Sequence, residues 1–163
     1  MTLDDQSARA LLRQLDEPDR KCFPRAYDHA AVRARFDRLA GGLDRQYQAA
    51  CTVDRHVQDG SHHGTIRIPA TVTACGNNIT VTVSNFGNLA AVTFDDPGRY
   101  DGGEESELSQ AVDRKRVDNE LEVLGYVTLS EHLLGTRYDG VTDLSYFPPE
   151  HRPTWFTRFF DYL

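Results

Sequence analysis

The spacing of apolar and polar positions divides the chain into a helical beginning, a β-rich middle and a helical end. At the beginning, apolar residues recur every three or four positions, at Ala8, Leu11, Leu12 and Leu15. This spacing predicts a first helix over residues 5–16, capped by Asp4 or Asp5. Pro18 prevents its continuation because proline lacks the backbone N–H and clashes with the preceding turn.

A second helix is predicted after the turn-rich segment around Pro18 and Pro24. Asp28 can cap this helix. Its apolar residues again have helical spacing, at Val32, Phe36, Leu39 and Leu43. We expect Gly41-Gly42 to end it, because glycine is common at helix C-termini.

The period changes to two in the middle of the chain, which predicts strands. Alternating apolar residues lie in 64–69 and in 78–85, and the second of these runs is rich in β-branched residues. Leu89 to Phe94 forms another β-rich run, which predicts a strand over 88–94. The short segment Phe86-Gly87-Asn88 favours an antiparallel hairpin between the last two strands. Residues 45–57 fit a further strand through Tyr47, Cys51 and Val53, and they fit a helix almost as well.

A charged helix is predicted to follow and to end at Gly125. Its apolar residues lie on opposite sides: Leu108, Ala111 and Val112 on one, and Val117, Leu121 and Leu124 on the other. We therefore expect a kink, two segments or burial on two faces. Residues 126–129 predict a short β segment, and Ser130 can cap a helical turn over 131–134.

Five of the last ten residues, 154–163, are aromatic. Phe156, Phe159, Phe160 and Leu163 share one face of a predicted C-terminal helix, which we expect to close over the core. Trp155 and Tyr162 are expected at the sides, where their polar atoms can reach partners. The sum is a single α+β domain, 1–163, with N-terminal helices, an antiparallel β-meander of three to four strands, and C-terminal helices with an aromatic closing segment.

The composition is that of a globular protein, with 163 residues, 39% hydrophobic and 26% charged. No apolar run approaches the roughly 20 residues that span a bilayer, and the N-terminus lacks a signal-peptide pattern. We therefore expect a cytoplasmic protein without membrane contact. The net charge of −7 argues against nucleic-acid binding and permits a basic protein partner. Three widely spaced cysteines indicate reduced thiols.

Two clusters of polar residues are candidate sites. The first is a histidine-rich group that could hold a metal ion or act as an acid–base pair, made of His56, Asp59, His62 and His63. In a strand His62 and His63 point to opposite faces, so at most one of them can join the others. The favoured interpretation is a polar bend before a strand, and no metal and no catalytic residue is assigned.

The second cluster is acidic and surrounds the start of the charged helix. Its residues, Asp95, Asp96, Asp101, Glu104 and Glu105, are the candidate partner-binding residues. Acidic residues in a first helical turn also stabilise the helix dipole, which is the structural alternative. No GxSxG motif, phosphate-binding loop or reactive-cysteine pattern is present.

Several segments together resemble small bacterial immunity proteins, which are typically encoded beside polymorphic or contact-dependent toxins. They are Gln58-Asp-Gly-Ser-His62, Ser84-Asn-Phe-Gly-Asn88, Leu124-Gly-Tyr126, Tyr138-Asp-Gly140 and Thr154-Trp-Phe-Thr-Arg-Phe-Phe-Asp-Tyr-Leu163. The resemblance implies a non-enzymatic inhibitor that masks a cognate toxin's active site or substrate surface, without a cofactor. The alternatives are a small metal-dependent hydrolase using the cluster at 56–63 and an adaptor docking through its aromatic C-terminus. The oligomeric state is open between monomer and weak dimer.

Overall fold

The computed structural model describes residues 3–95 and 104–163, with only the backbone of 104–106. The helices are α1 (Asp5–Leu15), α2 (His29–Tyr47), α3 (Glu104–Val123), α4 (Glu131–Leu134) and α5 (Trp155–Phe160). The strands are β1 (Thr52–Asp54), β2 (His62–Ile68), β3 (Ile79–Ser84), β4 (Leu89–Phe94) and β5 (Val127–Leu129). The α+β class predicted from the periods is confirmed.

The first two helices begin at the predicted caps. The side chain of Asp4 accepts a hydrogen bond from the backbone N–H of Ser7, and Asp28 accepts one from the N–H of Ala31. The expected end of α2 at Gly41-Gly42 is wrong, since the helix continues to Tyr47 and ends at Gln48 in a left-handed conformation. Gly42 is buried there, and a Cβ atom at this position would lie 2.4 Å from Glu120 Oε2 of α3. The missing side chain at Gly42 thus leaves room for the carboxylate of Glu120 against α2.

The sheet contains five strands in the order β1-β2-β3-β4-β5. The predicted β3–β4 hairpin is confirmed as an antiparallel pair in which Val81 lies opposite Val92. The predicted antiparallel meander is confirmed in the four strands β1 to β4, and β5 adds a fifth strand to the sheet. β5 pairs with β4 in parallel, because α3 runs back along the sheet and returns the chain to the same end.

Helices cover both faces of this sheet. On one face, Val81, Val83 and Ala90 pack with residues of α2 and α3. On the other face, Leu89 and Ala91 pack with residues of α1, α4 and α5. Because successive strand residues point to opposite faces, the two cores are separated by the sheet and together form three layers.

The charged helix α3 is a single helix that buries one face. Val117 and Leu121 lie in the core, whereas Leu108 and Val112 on the opposite side are exposed. The expectation of two segments or of burial on two faces is therefore wrong. The buried carboxylate of Asp113 accepts hydrogen bonds from the backbone N–H groups of Ala74 and Cys75, and it joins α3 to the β2–β3 loop.

The aromatic tail closes the second core. Thr154 caps α5, and Trp155, Phe159 and Phe160 are buried. Trp155 lies inside this core rather than at its side, and its indole Nε1 has no hydrogen-bond partner. Leu163 lies beyond the helix, and Tyr162 is exposed. Among the described residues, no helix has the length and apolar character needed to cross a membrane.

Candidate functional site

One end of the sheet is covered by the connection between α1 and α2. This connection, residues 16–28, passes from the face that α1 covers to the face that α2 covers, and we call it the crossover segment. The end of the sheet beneath it, where β3 ends and β2 begins, is the crossover end. Asn85 lies there and anchors the segment, since its Nδ2 donates to the carbonyl of Cys22 at 2.9 Å. Tyr27 Oη donates back to Asn85 Oδ1 at 3.2 Å.

A fully buried arginine on α5 binds the crossover segment through hydrogen bonds. Arg158 Nε forms an ion pair of 2.7 Å with Asp16 Oδ1, and both side chains are withdrawn from solvent. The guanidinium also donates to three carbonyl oxygens of the segment, those of Glu17, Arg20 and Lys21. A buried charge requires such complete pairing, so the segment is fixed relative to the tail.

Asp16 links the same network to the loop over residues 138–145. It accepts hydrogen bonds from Thr142 Oγ1 at 2.6 Å, from the backbone N–H of Val141 at 2.8 Å, and from the hydroxyl of Tyr138. Burial opposes ionisation of Asp16, but these hydrogen bonds and Arg158 outweigh it and lower the pKa of the carboxyl. Asp16 is therefore a stable anion that joins three segments.

The residues after α5 are fixed to the start of β2. The backbone N–H of Ser61 donates to the carbonyl of Asp161, and the N–H of Leu163 donates to that of Asp59, each at 2.9 Å. Asp59 has a left-handed backbone, with φ at 55°. These bonds bring the end of the tail to the crossover end.

Three exposed aromatic side chains project from these segments. Phe23, Tyr146 and Tyr162 are 49%, 51% and 55% exposed, and we call them the crossover-end aromatics. Phe23 packs on Tyr27 with 4.8 Å between ring centroids, and the Lys21 Nζ lies 4.3 Å from the Tyr146 centroid. The Tyr162 ring meets His62 edge-on at 5.1 Å. Exposed aromatic side chains are typical of protein interfaces.

A cleft lies beside these aromatics, between the crossover segment, α2 and the β3–β4 turn. Its volume is about 370 Å³, and its walls are mainly apolar, including Pro24, Val32 and Tyr126. Arg35 stands at its edge and donates a hydrogen bond to the side chain of Asn88. The cleft is large enough for one side chain of a protein partner.

The histidine-rich group separates between the two faces of the sheet. His62 contacts Tyr162, whereas His63 packs against Phe36 at 5.0 Å and His29 at 5.8 Å. Burial lowers the pKa of both imidazoles, and His62 Nδ1 and His63 Nε2 have no hydrogen-bond partner.

The other two members of the group do not complete a metal site. The backbone N–H of His56 bonds to Asp54, and Asp59 holds the tail through its carbonyl. Over the described ranges 3–95 and 104–163, no group of three His, Cys, Asp or Glu side chains could hold a metal ion. The arrangement fits a folded bend in which two histidines pack against rings.

The acidic cluster is only partly described. Asp95 pairs with Arg67 Nη2 at 2.6 Å and accepts from Asn78 Nδ2 at 3.0 Å, and the Asn78 bond is the main reason its pKa is lowered. Asp96 and Asp101 lie outside the described residues, as do the side chains of Glu104 and Glu105. Asp95 follows β4, so it lies at the end of the sheet opposite the crossover end.

Three important residues at the crossover end were missed in the sequence. Phe23 and Tyr146 lie in proline-containing loops without periodicity, so nothing in the pattern separates them from ordinary loop residues. Arg158 carried a usable signal, because a lone arginine among Trp155, Phe156, Phe159 and Phe160 interrupts an apolar helix. Such a residue must find buried partners or turn outward.

Comparison with protein-family models, with curated proteins and with solved structures finds no significant match to this chain.

Proposed function

We propose that this protein is a non-enzymatic binding protein that neutralises a cognate bacterial toxin domain by masking its active site or substrate surface. The observation that carries the proposal is the crossover end, where Phe23, Tyr146 and Tyr162 are exposed on three separately anchored segments. The resemblance of the turn and tail segments to immunity proteins supports the choice of a toxin as the partner. Such a protein would act in the cytoplasm of the producing cell.

Preorganisation makes this surface suitable for tight binding. Association costs free energy for every loop that must become ordered, and a surface that is already fixed avoids that cost. Arg158 and Asp16 fix the segments that carry Phe23 and Tyr146, and the Ser61–Asp161 bonds fix the one that carries Tyr162. Tyrosine and other aromatic residues dominate binding energy when their surroundings exclude water.

We assign the acidic cluster a separate role, the long-range attraction of the toxin. Its charges would attract a basic toxin, such as a nuclease whose cleft normally binds phosphates. Attraction of this kind acts over distance and increases the association rate more than the final affinity. We therefore expect substitutions in the acidic cluster to change the association rate, and substitutions of the crossover-end aromatics to change the affinity.

A protection experiment tests the proposal. The proposal predicts a toxin domain encoded next to this gene, and that domain is expressed in a bacterial host together with the protein or its variants. We expect the natural protein to restore growth, and the triple variant Phe23→Ala, Tyr146→Ala, Tyr162→Ala to lose protection while remaining folded. Val123→Ala is the matched control, because Val123 is exposed on α3 and belongs to neither surface. A triple variant that protects fully would exclude the crossover end as the toxin-binding surface.

Charge reversal tests the acidic cluster independently. Replacing Asp96, Asp101, Glu104 and Glu105 with lysine should slow association and reduce its dependence on salt. Unchanged association kinetics would remove this cluster from the interface and leave the crossover end as its only candidate.

A further inference from the structure

The cleft between the crossover segment, α2 and the β3–β4 turn has the character of a small-molecule site. Its volume is about 370 Å³, and its walls are mainly apolar, with Pro24 on one side and Ala31 and Val32 of α2 on another. Pockets that bind small molecules are concave and mostly apolar, with a few polar groups at fixed places. This volume is at the lower end of the range for such pockets, so the cleft suits a small ligand.

The acceptor groups in the walls of the cleft are engaged by the chain itself. The carboxylates of Glu17 and Asp28 each accept a hydrogen bond from a backbone N–H. The side-chain oxygen of Asn85 accepts one from the hydroxyl of Tyr27. The walls therefore do not favour a ligand that is rich in hydrogen-bond donors.

Arg35 supplies the positive charge of the cleft, and its position is fixed by two neighbours. Its Nη1 donates to the side chain of Asn88, and its guanidinium carbon lies 5.8 Å from the centroid of the Tyr126 ring. Among the residues whose side chains are described, 3–95 and 107–163, no carboxylate forms an ion pair with Arg35. A guanidinium has five N–H donors in a rigid fork, so those not used by Asn88 can bind an anion.

We propose that this cleft binds a small monocarboxylate with an apolar body, such as an aryl-alkanoic acid. The carboxylate binds Arg35, and the body lies against Ala31 and Val32. These two residues precede Arg35 by four and three positions in α2, so they lie next to it on the same face of the helix, about one turn or 5 Å away. The acid group and the body of one small molecule can therefore reach both at once.

The charges of the cleft favour a single negative charge on the ligand. Arg35 is one cation, and Glu17 and Asp28 line the same cleft, so a dianion such as a phosphate monoester would keep an unmatched charge. A planar carboxylate also matches the guanidinium with two parallel hydrogen bonds. These properties identify the ligand by its chemistry as an apolar carboxylic acid.

The inference is independent of the proposed toxin binding. The described residues that line the cleft do not include the crossover-end aromatics, Phe23, Tyr146 and Tyr162. A ligand in the cleft contacts the crossover segment through Pro24 and leaves those three side chains exposed.

Titration of the isotope-labelled protein with hydrocinnamate, followed by two-dimensional NMR, tests the site. We expect saturable shifts of amide signals from the cleft, including those of Val32 and Asn88. Hydrocinnamyl alcohol has the same body without the charge, and acetate has the charge without the body. Each should bind at least about tenfold more weakly than hydrocinnamate. The absence of saturable shifts, or equal binding of the acid and the alcohol, would overturn the inference.

Substitution of Arg35 tests the carboxylate position. Arg35→Met should raise the dissociation constant of hydrocinnamate about tenfold or more, because it removes the guanidinium and keeps a long apolar side chain. Arg33→Met is the matched control, since Arg33 is exposed on α2 and does not line the cleft. Equal affinity of Arg35→Met and the natural protein would overturn the inference.

Filling the cleft tests the position of the apolar body. Ala31→Phe should abolish hydrocinnamate binding, because the larger side chain occupies the space of the ligand. Ala30→Phe is the control at an exposed position outside the cleft, and it should retain the affinity of the natural protein. Retained binding by Ala31→Phe would place the ligand elsewhere and overturn the inference. Far-ultraviolet circular dichroism of each variant, expected to match the natural chain, separates loss of binding from loss of folding.

Discussion

At the residue scale, Arg158 links the tail to the crossover end. Its guanidinium is buried with Asp16 and satisfies three backbone carbonyls of the crossover segment. A buried ion pair contributes little relative to well-packed apolar residues, but removing one partner leaves an uncompensated buried charge. The pair therefore specifies the position of the segment more than it adds to stability.

Replacing Arg158 with methionine should lower the free energy of unfolding by about 3–5 kcal/mol, because Asp16 remains buried without its cation. Urea denaturation at neutral pH measures this change. Arg13→Met is the control, since the Arg13–Asp139 pair is exposed and its loss should cost less than about 1 kcal/mol. Equal effects of the two substitutions would show that Arg158 is not the buried anchor described above.

The two buried histidines predict a dependence of stability on pH. Burial lowers their pKa in the folded state below the value of 6.5 that they have when exposed, so the unfolded chain binds protons more readily. Above about pH 6.5 both histidines are neutral in the folded and the unfolded chain, so the free energy of unfolding has its full value. As the pH drops from there toward the folded-state pKa values, the unfolded chain takes up protons first and the free energy of unfolding decreases. Each histidine contributes a slope of at most about 1.4 kcal/mol per pH unit.

Urea denaturation between pH 5 and 8 measures this slope. The variants His62→Phe and His63→Phe should each reduce it. His151→Phe, at an exposed position, is the control and should retain the slope of the natural protein. A slope that both core variants leave unchanged would show that other groups cause the acid sensitivity.

A local sequence period can indicate on which face of a strand a side chain lies, but it cannot identify the distant partners of that side chain. His62 and His63 lie on opposite faces, as the strand period predicted. The irregular register between His62 and Gly64, however, places His63 on the face of Phe36, which a regular strand through Ile66 and Ile68 would give to His62. The partners of Arg158 could not be predicted, because Asp16 lies 142 residues away in the sequence. Contacts at such separation depend on the whole fold.

At the element scale, α2 shows how tertiary packing overrides a local stop signal. Gly41-Gly42 is a typical helix end in isolation, yet α2 passes through it and packs against α3. Helices draw most of their stability from such packing rather than from intrinsic propensity. The Glu120 side chain occupies the space that a side chain at position 42 would need, and this explains why a glycine stands there inside a helix.

Gly41→Ala should stabilise the protein by about 0.5–1 kcal/mol, because alanine favours a helix interior and the new Cβ would meet only Arg45 Nη1, at 3.4 Å. Thermal denaturation measures the change. Gly42→Ala should give a smaller gain, since Glu120 must move to admit the methyl group. Destabilisation by Gly41→Ala would indicate that α2 ends at the glycines after all.

For the other elements, the sequence predicted the bounds of strands better than it predicted their pairing or which face of a helix is buried. The alternation in 78–85 and the β-rich run from Leu89 to Phe94 placed β3 and β4 within about a residue of their ends. The parallel pairing of β5 was not predictable, because three residues carry no signal for their partner and α3 determines where they return. The two apolar sides of α3 were recognised, but only the fold reveals which side is buried.

At the scale of the whole molecule, the aromatic tail is part of the core and only its end is available for binding. Trp155 and Phe159 lie in the core that α1 and α4 share, and Arg158 holds the crossover segment. Deleting residues 154–163 should therefore unfold the chain, with loss of dispersed amide signals in a two-dimensional NMR spectrum. Tyr162→Ala is the control and should retain the folded spectrum. A folded deletion variant would contradict the placement of the tail in the core.

The crossover end unites residues that are far apart in sequence, which is why sequence patterns located the tail and not the surface. The segments that carry Phe23, Tyr146 and Tyr162 reach this end of the sheet only when the sheet, the buried ion pair and the tail are all in place. Asp95, the member of the acidic cluster whose side chain the structure describes, lies at the other end of the sheet. The two ends therefore offer separate hypotheses for partner binding.

The proposal predicts that a toxin domain is encoded beside this gene. The most direct test of the central claim is calorimetric titration of that domain with the natural protein and with the triple crossover-end variant. We predict saturable binding by the natural protein, at least about a hundredfold weaker binding by the variant, and unchanged binding by Val123→Ala. Binding of the folded triple variant with the affinity of the natural protein would contradict the account.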